Sequence, residues 1–338
     1  MRGRRLKRAS SFLVLLLAVV ALVFAARLVG PRKPTSYVLP GEAVLPEGID
    51  VAPDGTFYVA SAGTGTIYRG HVTQPRTHPF LPGGRDGLDA AGGVRRDGRG
   101  RLFVAGFTRV EDGVESMLFV YDQLGRLVTI RLAPVADAQF NDLALTRDAV
   151  YITDSQLQVV YRAALRGPAI GEVEPWVDLN DHSPASPQGR RLSGVVADPE
   201  GRVLLVADTL GGALYRIDTA TQAVQTVDLG ESGLNADGVL LEDTALYAVA
   251  YTQPDDGTPV RAEICVVRLS RDLASGAVVT CVTDPSFDAP SGLARDGDRL
   301  LAVNSQLSHP PGAPPFIVSA IPDPLHRRTV QSYAGVPA

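Results

Sequence analysis

The chain repeats one pattern of short strands six times, and this repeat constrains the fold more than any other feature. Each copy has a small residue, alternating apolar residues, a turn, an apolar strand, a polar turn and another strand. The aligned positions lie 45, 49, 52, 44 and 54 residues apart and are Gly48, Gly93, Asp142, Gly194, Gly238 and Gly292. Four short strands at this period are typical of one blade of a β-propeller.

The sequence therefore predicts an all-β fold, a six-bladed β-propeller with four-stranded blades, over residues 31–338. A β-sandwich lacks such a period, and the rungs of a β-helix are shorter. The single Trp176 and the absence of Gly-His and Trp-Asp pairs argue against a WD40 propeller. One more strand must complete the last blade, and segments 36–40 and 329–333 are both candidates.

Residues 1–30 have the pattern of a targeting segment. Five cations precede an apolar run over residues 11–26, namely Arg2, Arg4, Arg5, Lys7 and Arg8. A basic stretch before a short apolar core is typical of a secretory signal, and the run is short for a stable membrane span. Cleavage after Ala25 is disfavoured by Val23, so a cleaved signal peptide and an uncleaved anchor over residues 11–29 both remain open. Either one predicts a secreted or membrane-anchored, extracytoplasmic protein.

The composition, 45% hydrophobic and 20% charged, is that of an ordinary globular domain. Cleavage after Ala25 would remove five cations and no acids, which takes the formal net charge from -5 to -10. An acidic mature chain disfavours nucleic acid as a partner.

The positions of the two cysteines agree with the prediction that the protein is exported. Cys265 and Cys281 flank a turn-rich stretch centred near Leu273, between segments that alternate like strands. A hairpin at that turn places the cysteines almost opposite each other. In an oxidising compartment we expect them to form a structural disulfide.

The residues just before the aligned positions carry the main functional signal, and they are Glu47, Gly92, Asn141, Ser193, Asp237 and Ser291. Radial symmetry brings all six towards the axis at one mouth of the central channel. Two carboxylates there would repel each other unless a cation lay between them. An all-oxygen donor set suits one divalent cation, Ca²⁺ first and Mg²⁺ or Mn²⁺ next. Each residue alone could simply cap a strand, so it is their coincidence that favours a metal site.

Other residues on the same face are weaker candidates. Asp154 and Asp208 each follow an apolar strand, where they could support the metal ligands or only form turns. His182 and His309 lie in two long insertions, residues 177–191 and 304–316, where a solvated histidine is the commoner case.

Four segments resemble the senescence marker protein 30/gluconolactonase family, and more loosely the paraoxonases. They are PEGIDVAPDG, FNDLAL, LSGVVADPEG and NADGVLL. The resemblance covers residues from about 40 to 325. It implies a catalytic divalent ion, commonly Ca²⁺ or Zn²⁺, held by Glu47, Asn141, Ser193 and Asp237. Ser193 stands where the family usually has Asn, and Gln139 stands where the sugar lactonases tend to have Arg.

The resemblance further implies a hydrolase acting on small-molecule lactone or ester substrates, with Asp237 as general base and Asn141 as the second catalytic residue. We expect the protein to be a monomer. The alternative is a non-catalytic propeller of the cell envelope that binds a ligand or protein partner and uses the ion only for stability. A third option resembles the strictosidine synthase branch, which uses no metal, and Glu47 and Asp237 argue against it. The chain has no G-x-S-x-G, H-E-x-x-H or P-loop motif.

Overall fold

The computed structural model describes residues 33–182, 191–230, 233–252 and 261–325. Within them the chain forms six antiparallel four-stranded sheets, which confirms the predicted all-β, six-bladed propeller. The predicted signal or anchor and the candidate strand 329–333 lie outside the described residues. No helix in the described ranges is both long enough and apolar enough to cross a bilayer.

In five sheets the strands follow one another outwards from the channel in chain order. The inner strands are β2 (Pro46–Val51), β6 (Ala90–Arg96), β10 (Phe140–Leu145), β14 (Leu192–Ala197), β18 (Ala236–Glu242) and, in the sixth sheet, β22 (Pro290–Asp296). The second strands are β3 (Thr56–Ser61), β7 (Leu102–Val110), β11 (Ala149–Asp154), β15 (Val203–Asp208), β19 (Ala245–Thr252) and β23 (Arg299–Asn304). The third strands are β4 (Ile67–His71), β8 (Gly113–Tyr121), β12 (Val159–Arg166), β16 (Ala213–Asp218), β20 (Arg261–Leu269) and β24 (Phe316–Pro322). The outer strands are β5 (His78–Leu81), β9 (Leu127–Leu132), β13 (Ala169–Asp178), β17 (Val224–Thr226), β21 (Gly276–Val282) and β1 (Ser36–Leu39). A short 3₁₀ helix, Arg85–Gly87, precedes β6.

The N-terminal strand β1 closes the ring by pairing antiparallel with β24, so the sixth blade combines both ends of the propeller. Tyr37 of β1 is fully buried and packs edge-on against Phe57 of the first blade, with ring centroids 5.0 Å apart. Its hydroxyl donates to the carbonyl oxygen of Val72 (2.8 Å) and accepts from the Arg299 guanidinium (2.9 Å). Burial of each such aromatic side chain contributes about 2–3 kcal/mol. Because β1 pairs with β24, segment 36–40 is the candidate that supplies the closing strand.

The apolar core lies between blades. Alternating residues of the second and third strands of one blade pack against the inner strand of the next, as where Leu205 and Leu214 contact Val239. The period-two alternation of these strands puts an apolar side chain on each face of a blade. All strands named above fall within one compact unit that begins at Thr35.

Candidate functional site

Every inner strand carries a β-bulge at the same place. In the first blade Pro46 pairs with Ser61 and Ile49 with Val59, so Glu47 and Gly48 together oppose one residue of β3. The other five inner strands show the same shift in register. Because a bulge re-aims a side chain out of the regular alternation, the residue before each aligned position is freed to point towards the axis.

Four of the sequence-predicted residues line one small cavity at the channel mouth, with a volume of about 20 Å³: Glu47, Asn141, Asp237 and Ser291. The structure thus brings together residues that lie far apart in the sequence. Ser193 does not line this cavity, although Gly194 does.

Glycine at the aligned positions allows the inner strands to approach closely. A Cβ on Gly238 would lie 2.1 Å from the carbonyl oxygen of Ser291 in the next blade. The Ser291 hydroxyl in turn donates to the carbonyl oxygen of Glu47 (3.0 Å), across the junction of the sixth and first blades. The mouth is therefore narrow and its lining is held by contacts between blades.

The two carboxylates at the mouth, Glu47 and Asp237, both have raised pKa values. Burial raises the pKa of Glu47 to about 8, with a further contribution from the charge of Asp237. Burial also raises the pKa of Asp237 to about 6, although the nearby Arg191 opposes the shift. Both side chains remain partly exposed to the cavity. A cation placed between them would favour the ionised form of each.

Ser193 supports Asp237. Its side chain is 1% exposed, and its Oγ lies 2.6 Å from the Thr209 hydroxyl. A hydrogen bond from Ser193 lowers the pKa of Asp237 slightly against the larger effect of burial. The ligand role expected for Ser193 stays a prediction, and the geometry gives it a second role as a group that orients a carboxylate.

Asp154 and Asp208 are fully buried and form turns. Asp154 Oδ1 accepts from the backbone N–H groups of Gln156 (2.7 Å) and Leu157 (2.9 Å). Asp208 Oδ1 likewise accepts from those of Arg191 (2.9 Å) and Gly211 (2.8 Å). Neither carboxylate lines the mouth cavity. Of the two interpretations left open, turn formation is the one that these contacts support.

The two loop histidines lie away from the cavity lining. His182 is exposed in the turn after β13, and the adjoining residues 183–190 are outside the described ranges. His309 Nε2 lies 2.7 Å from Asp288 Oδ1, and this contact raises the pKa of the imidazole.

Three residues near the carboxylates were not singled out from the sequence as site residues. The Tyr251 hydroxyl donates to the carbonyl oxygen of Pro290, and burial and the charges of Asp237 and Glu47 raise its pKa. Asp142 and Arg95 line the cavity as an ion pair. The only sequence signal for Asp142 was that it occupies an aligned position where the other five copies have glycine.

The expected disulfide joins Cys265 to Cys281, which are directly paired residues of β20 and β21. These two cysteines and Glu263 are the only group of three or more His, Cys, Asp or Glu side chains in the described ranges whose ligand atoms lie within 4.8 Å of one another. Because the sulfur atoms are bonded to each other, they offer no thiolate to a metal.

The donor chemistry at the mouth fits a hard divalent cation. It combines the carboxylates of Glu47 and Asp237 with the amide of Asn141 and the hydroxyl of Ser291. Ca²⁺ accepts such mixtures of charged and neutral oxygen ligands and tolerates irregular geometry. No soft ligand lines the cavity, so the site does not resemble a structural zinc centre.

No family model and no curated protein matches the sequence. Among solved structures, the virginiamycin B lyase from Staphylococcus aureus is similar with a TM-score of 0.52 at 11% identity, over 84% of this chain and 97% of that chain. A streptogramin B lyase is similar with a TM-score of 0.51 at 12% identity, over 85% and 96%.

A nidogen/laminin complex contains another similar chain, with a TM-score of 0.52 at 15% identity over 74% of this chain and 86% of that one. At these identities the similarity shows the fold, a six-bladed propeller, and nothing finer. Enzymes and a protein-binding assembly both appear among the neighbours, so the function has to be inferred from the site.

Proposed function

We propose that the protein is an exported hydrolase of lactone or ester substrates that depends on a divalent cation at the channel mouth. The observation that carries the proposal is the pair Glu47 and Asp237, two carboxylates with raised pKa values that face one cavity. Ionisable groups with strongly shifted pKa values in a cleft are a common feature of functional sites.

Each mouth residue has a role that follows from its position. Glu47, Asp237 and the Asn141 amide would hold the cation, and Ser193 would keep Asp237 oriented. A divalent ion bound there supplies Lewis-acid polarisation of the substrate carbonyl. The sequence resemblance assigns the role of general base to Asp237. Because a carboxylate bound tightly to a metal is a poor base, Asp237 would have to change its coordination to accept a proton from water.

The substrate class rests on the sequence resemblance, since the structural neighbours show only the fold. Gln139 in place of the family's arginine disfavours sugar-acid lactones, which leaves simple lactones and esters as the first substrates to test. Arg191 lies near both carboxylates and would favour substrates that carry a negative charge.

Export is supported by two independent features. The basic and apolar pattern of residues 1–30 is typical of a secretory signal or anchor. The Cys265–Cys281 disulfide suits an oxidising compartment.

The test is elemental analysis of the full-length protein together with a screen of lactones and aryl esters. We expect about one divalent ion per chain and turnover that is abolished by EDTA and restored by Ca²⁺. Asp237→Ala should lose turnover, whereas the matched control Asp218→Ala, in a turn at the far face, should keep it. Bound metal without turnover would favour the alternative, a binding propeller with a structural ion, and absence of metal at saturating Ca²⁺ would refute both.

A further inference from the structure

The face opposite the mouth, the far face, has two halves of opposite charge. We take each turn together with the last residue of the strand before it. The far-face turns of blades two and three contain six arginines and three aspartates, a formal charge of +3, and are residues 96–101, 121–126, 145–148 and 166–168. Those of blades four and five contain six acids and two arginines, a formal charge of -4, and are residues 197–202, 218–223, 242–244 and 269–275. In a chain with a formal net charge of -5, the positive half is the exception.

The turns of blades two and three form one continuous surface, which we call the arginine surface. A Cβ on Gly100 would lie 3.6 Å from the Cβ of Gln123, so the two turns of blade two are in contact. Arg101 Nη1 donates to the carbonyl oxygen of Pro168 (2.8 Å), which joins blade two to blade three. A groove with a volume of about 550 Å³ lies between the blades, and its lining includes Arg99, Arg101, Arg147 and Arg166.

Half of the arginines on this surface are exposed and have no acidic partner. Two others are held in ion pairs of 2.8 and 2.7 Å, namely Arg101 with Asp97 and Arg126 with Asp122. Three exposed arginines form no ion pair within the described ranges, and they are Arg99, Arg147 and Arg166. The only other acid of the surface is Asp148. The surface therefore has positive charge available to an anionic partner.

Exposed apolar side chains border the arginine surface. Leu124, in the middle of the turn between β8 and β9, is 67% exposed, more than any other large apolar residue in the described ranges. Leu127 and Val128 follow at the start of β9 and are 40% and 47% exposed. Single exposed apolar residues are common on protein surfaces. Next to unpaired arginines they form the combination that binds a bilayer interface, because cations attract anionic headgroups and apolar side chains enter the acyl boundary.

The N-terminal chain enters the propeller from the far face. β1 runs antiparallel to β24, and β24 ends beside the far-face turn of the sixth blade, where the Asp323 N–H donates to the carbonyl oxygen of Asp298 (3.0 Å). Thr35, directly before β1, accepts from the backbone N–H of Ala320 (2.8 Å). In the sequence, residues 27–34 separate the apolar run from Thr35, and eight residues span at most about 27 Å when fully extended. A bilayer that holds the apolar run is therefore tethered to the far face.

We propose that the arginine surface, together with Leu124, Leu127 and Val128, is a docking surface for a bilayer that contains anionic phospholipids. The exposed arginines bind headgroup phosphates, Leu124 enters the interface, and the acidic turns of blades four and five keep the other half of the face away from the bilayer. The apolar run is short for a stable span, and stable membrane attachment takes two signals. The arginine surface supplies the second signal. The inference rests on the export part of the proposed function and is independent of hydrolysis.

The first experiment measures the partition of the full-length protein into vesicles of phosphatidylcholine with about 30 mol% phosphatidylglycerol, and into vesicles of phosphatidylcholine alone. We expect Arg147→Gln combined with Arg166→Gln to weaken partition into the anionic vesicles at least about tenfold, since each cation near such a surface contributes about fivefold. The matched control, Arg202→Gln combined with Arg271→Gln, removes the same charge from the other half of the far face. It should change partition less than about twofold. The N-terminal cations are present in every variant and cancel in the comparison.

The second experiment reports which part of the far face contacts the bilayer, even where the apolar run holds every variant on the vesicles. An environment-sensitive fluorophore is attached at Gln123→Cys and, in a separate protein, at Ala220→Cys, and each position is the second residue after the third strand of its blade. With anionic vesicles we expect a blue shift for the first label and none for the second. Adding Arg147→Gln and Arg166→Gln should abolish the shift, and about 1 M NaCl should reduce it, because the Debye length there is about 3 Å.

Thermal melting establishes that each variant is folded. Equal partition of the wild type into both kinds of vesicle, or equal weakening by the two double variants, would overturn the proposal. An equal blue shift for the two labels would also overturn it. Binding of heparin without any shift on vesicles would make the surface a site for soluble polyanions and reject the membrane assignment.

Neither experiment requires a metal or turnover. A protein that docks on anionic vesicles but hydrolyses nothing would refute the hydrolase proposal and leave the docking surface standing. An active hydrolase whose labels do not respond to vesicles would have the opposite meaning.

Discussion

Carboxylates at the two ends of the propeller have opposite environments. In the far-face turns, backbone N–H groups two to four residues along the chain donate to Asp54, Asp122 and Asp218, and these bonds lower their pKa values. At the mouth, burial and mutual repulsion raise the pKa values of Glu47 and Asp237. The same functional group is paired with local donors at one end and has a raised pKa at the other.

The difference comes from the local backbone. In a far-face turn the donors belong to the same short loop, as where the Asp122 carboxylate accepts from Leu124 and Arg126. At the mouth, the bulge turns the side chain to the axis, where its neighbours are other inner strands. Acidic residues alone therefore do not indicate a site, but acidic residues without local donors do.

The largest expected effect comes from Glu47→Gln, which removes a mouth charge while keeping the shape. We expect hydrolysis to fall by about 10²–10⁴-fold, the order of magnitude of a key polar group in catalysis. Above pH 8, where Glu47 of the metal-free wild type is ionised, the metal-free variant should melt at a higher temperature because a repelling carboxylate is gone. The measurements are kcat/KM at saturating Ca²⁺ and Tm in EDTA. If the variant lost both activity and metal-free stability, Glu47 would stabilise the fold as the far-face carboxylates do, and the contrast between the two ends would be wrong.

The second prediction is a pH dependence that comes from the mouth. Since the pKa of Glu47 in the folded protein is about 8, above its ordinary value of 4.5, the folded state binds the proton more tightly than the unfolded state. The metal-free protein should therefore lose stability as pH rises from 5 to 8. The far-face carboxylates, with lowered pKa values, lose their contribution only as pH falls below this window.

Tm in EDTA across pH 5–8 measures this dependence. The raised pKa of His309 adds a decline of the same sign in the upper part of the window, so the wild type is compared with Glu47→Gln, which retains His309. A slope that is identical in the two proteins would show that Glu47 is not its source.

The smallest expected effect is that of Asp97→Ala in a far-face turn. Asp97 accepts from the backbone N–H groups of Arg99 (2.9 Å) and Arg101 (2.8 Å) and from the Arg101 guanidinium (2.8 Å). We expect a loss of about 1–3 kcal/mol in the free energy of unfolding, measured by urea denaturation, with Ca²⁺ affinity unchanged. A loss of Ca²⁺ affinity would mean that the two ends are coupled through the channel.

Most of the mouth ring could be predicted because it follows from the repeat. Glu47, Asn141, Asp237 and Ser291 occupy one position of a symmetric unit, and symmetry places them around one axis. Ser193 shares the position but does not line the cavity, and its hydroxyl accepts a hydrogen bond from Thr209. The sequence repeat does not indicate which side chains contact each other, so it could not predict this hydrogen bond.

Asp142 could not be recognised in the same way. In the repeat it stands where glycine is needed for close approach of strands, and an acidic side chain there looks like an exception. Its ion-pair partner is Arg95, 47 residues earlier in the chain.

The sequence by itself determined the blade count, the strand alternation, the hairpin that pairs Cys265 with Cys281 and the position of the mouth ring, because all of these follow from local periodicity. Only the tertiary structure decided that β1 closes the sixth blade, that Ser193 contacts Thr209 and that Asp142 and Arg95 line the cavity as an ion pair. Those outcomes depend on which side chains meet across the narrow channel, and contacts between distant residues leave no period in the chain.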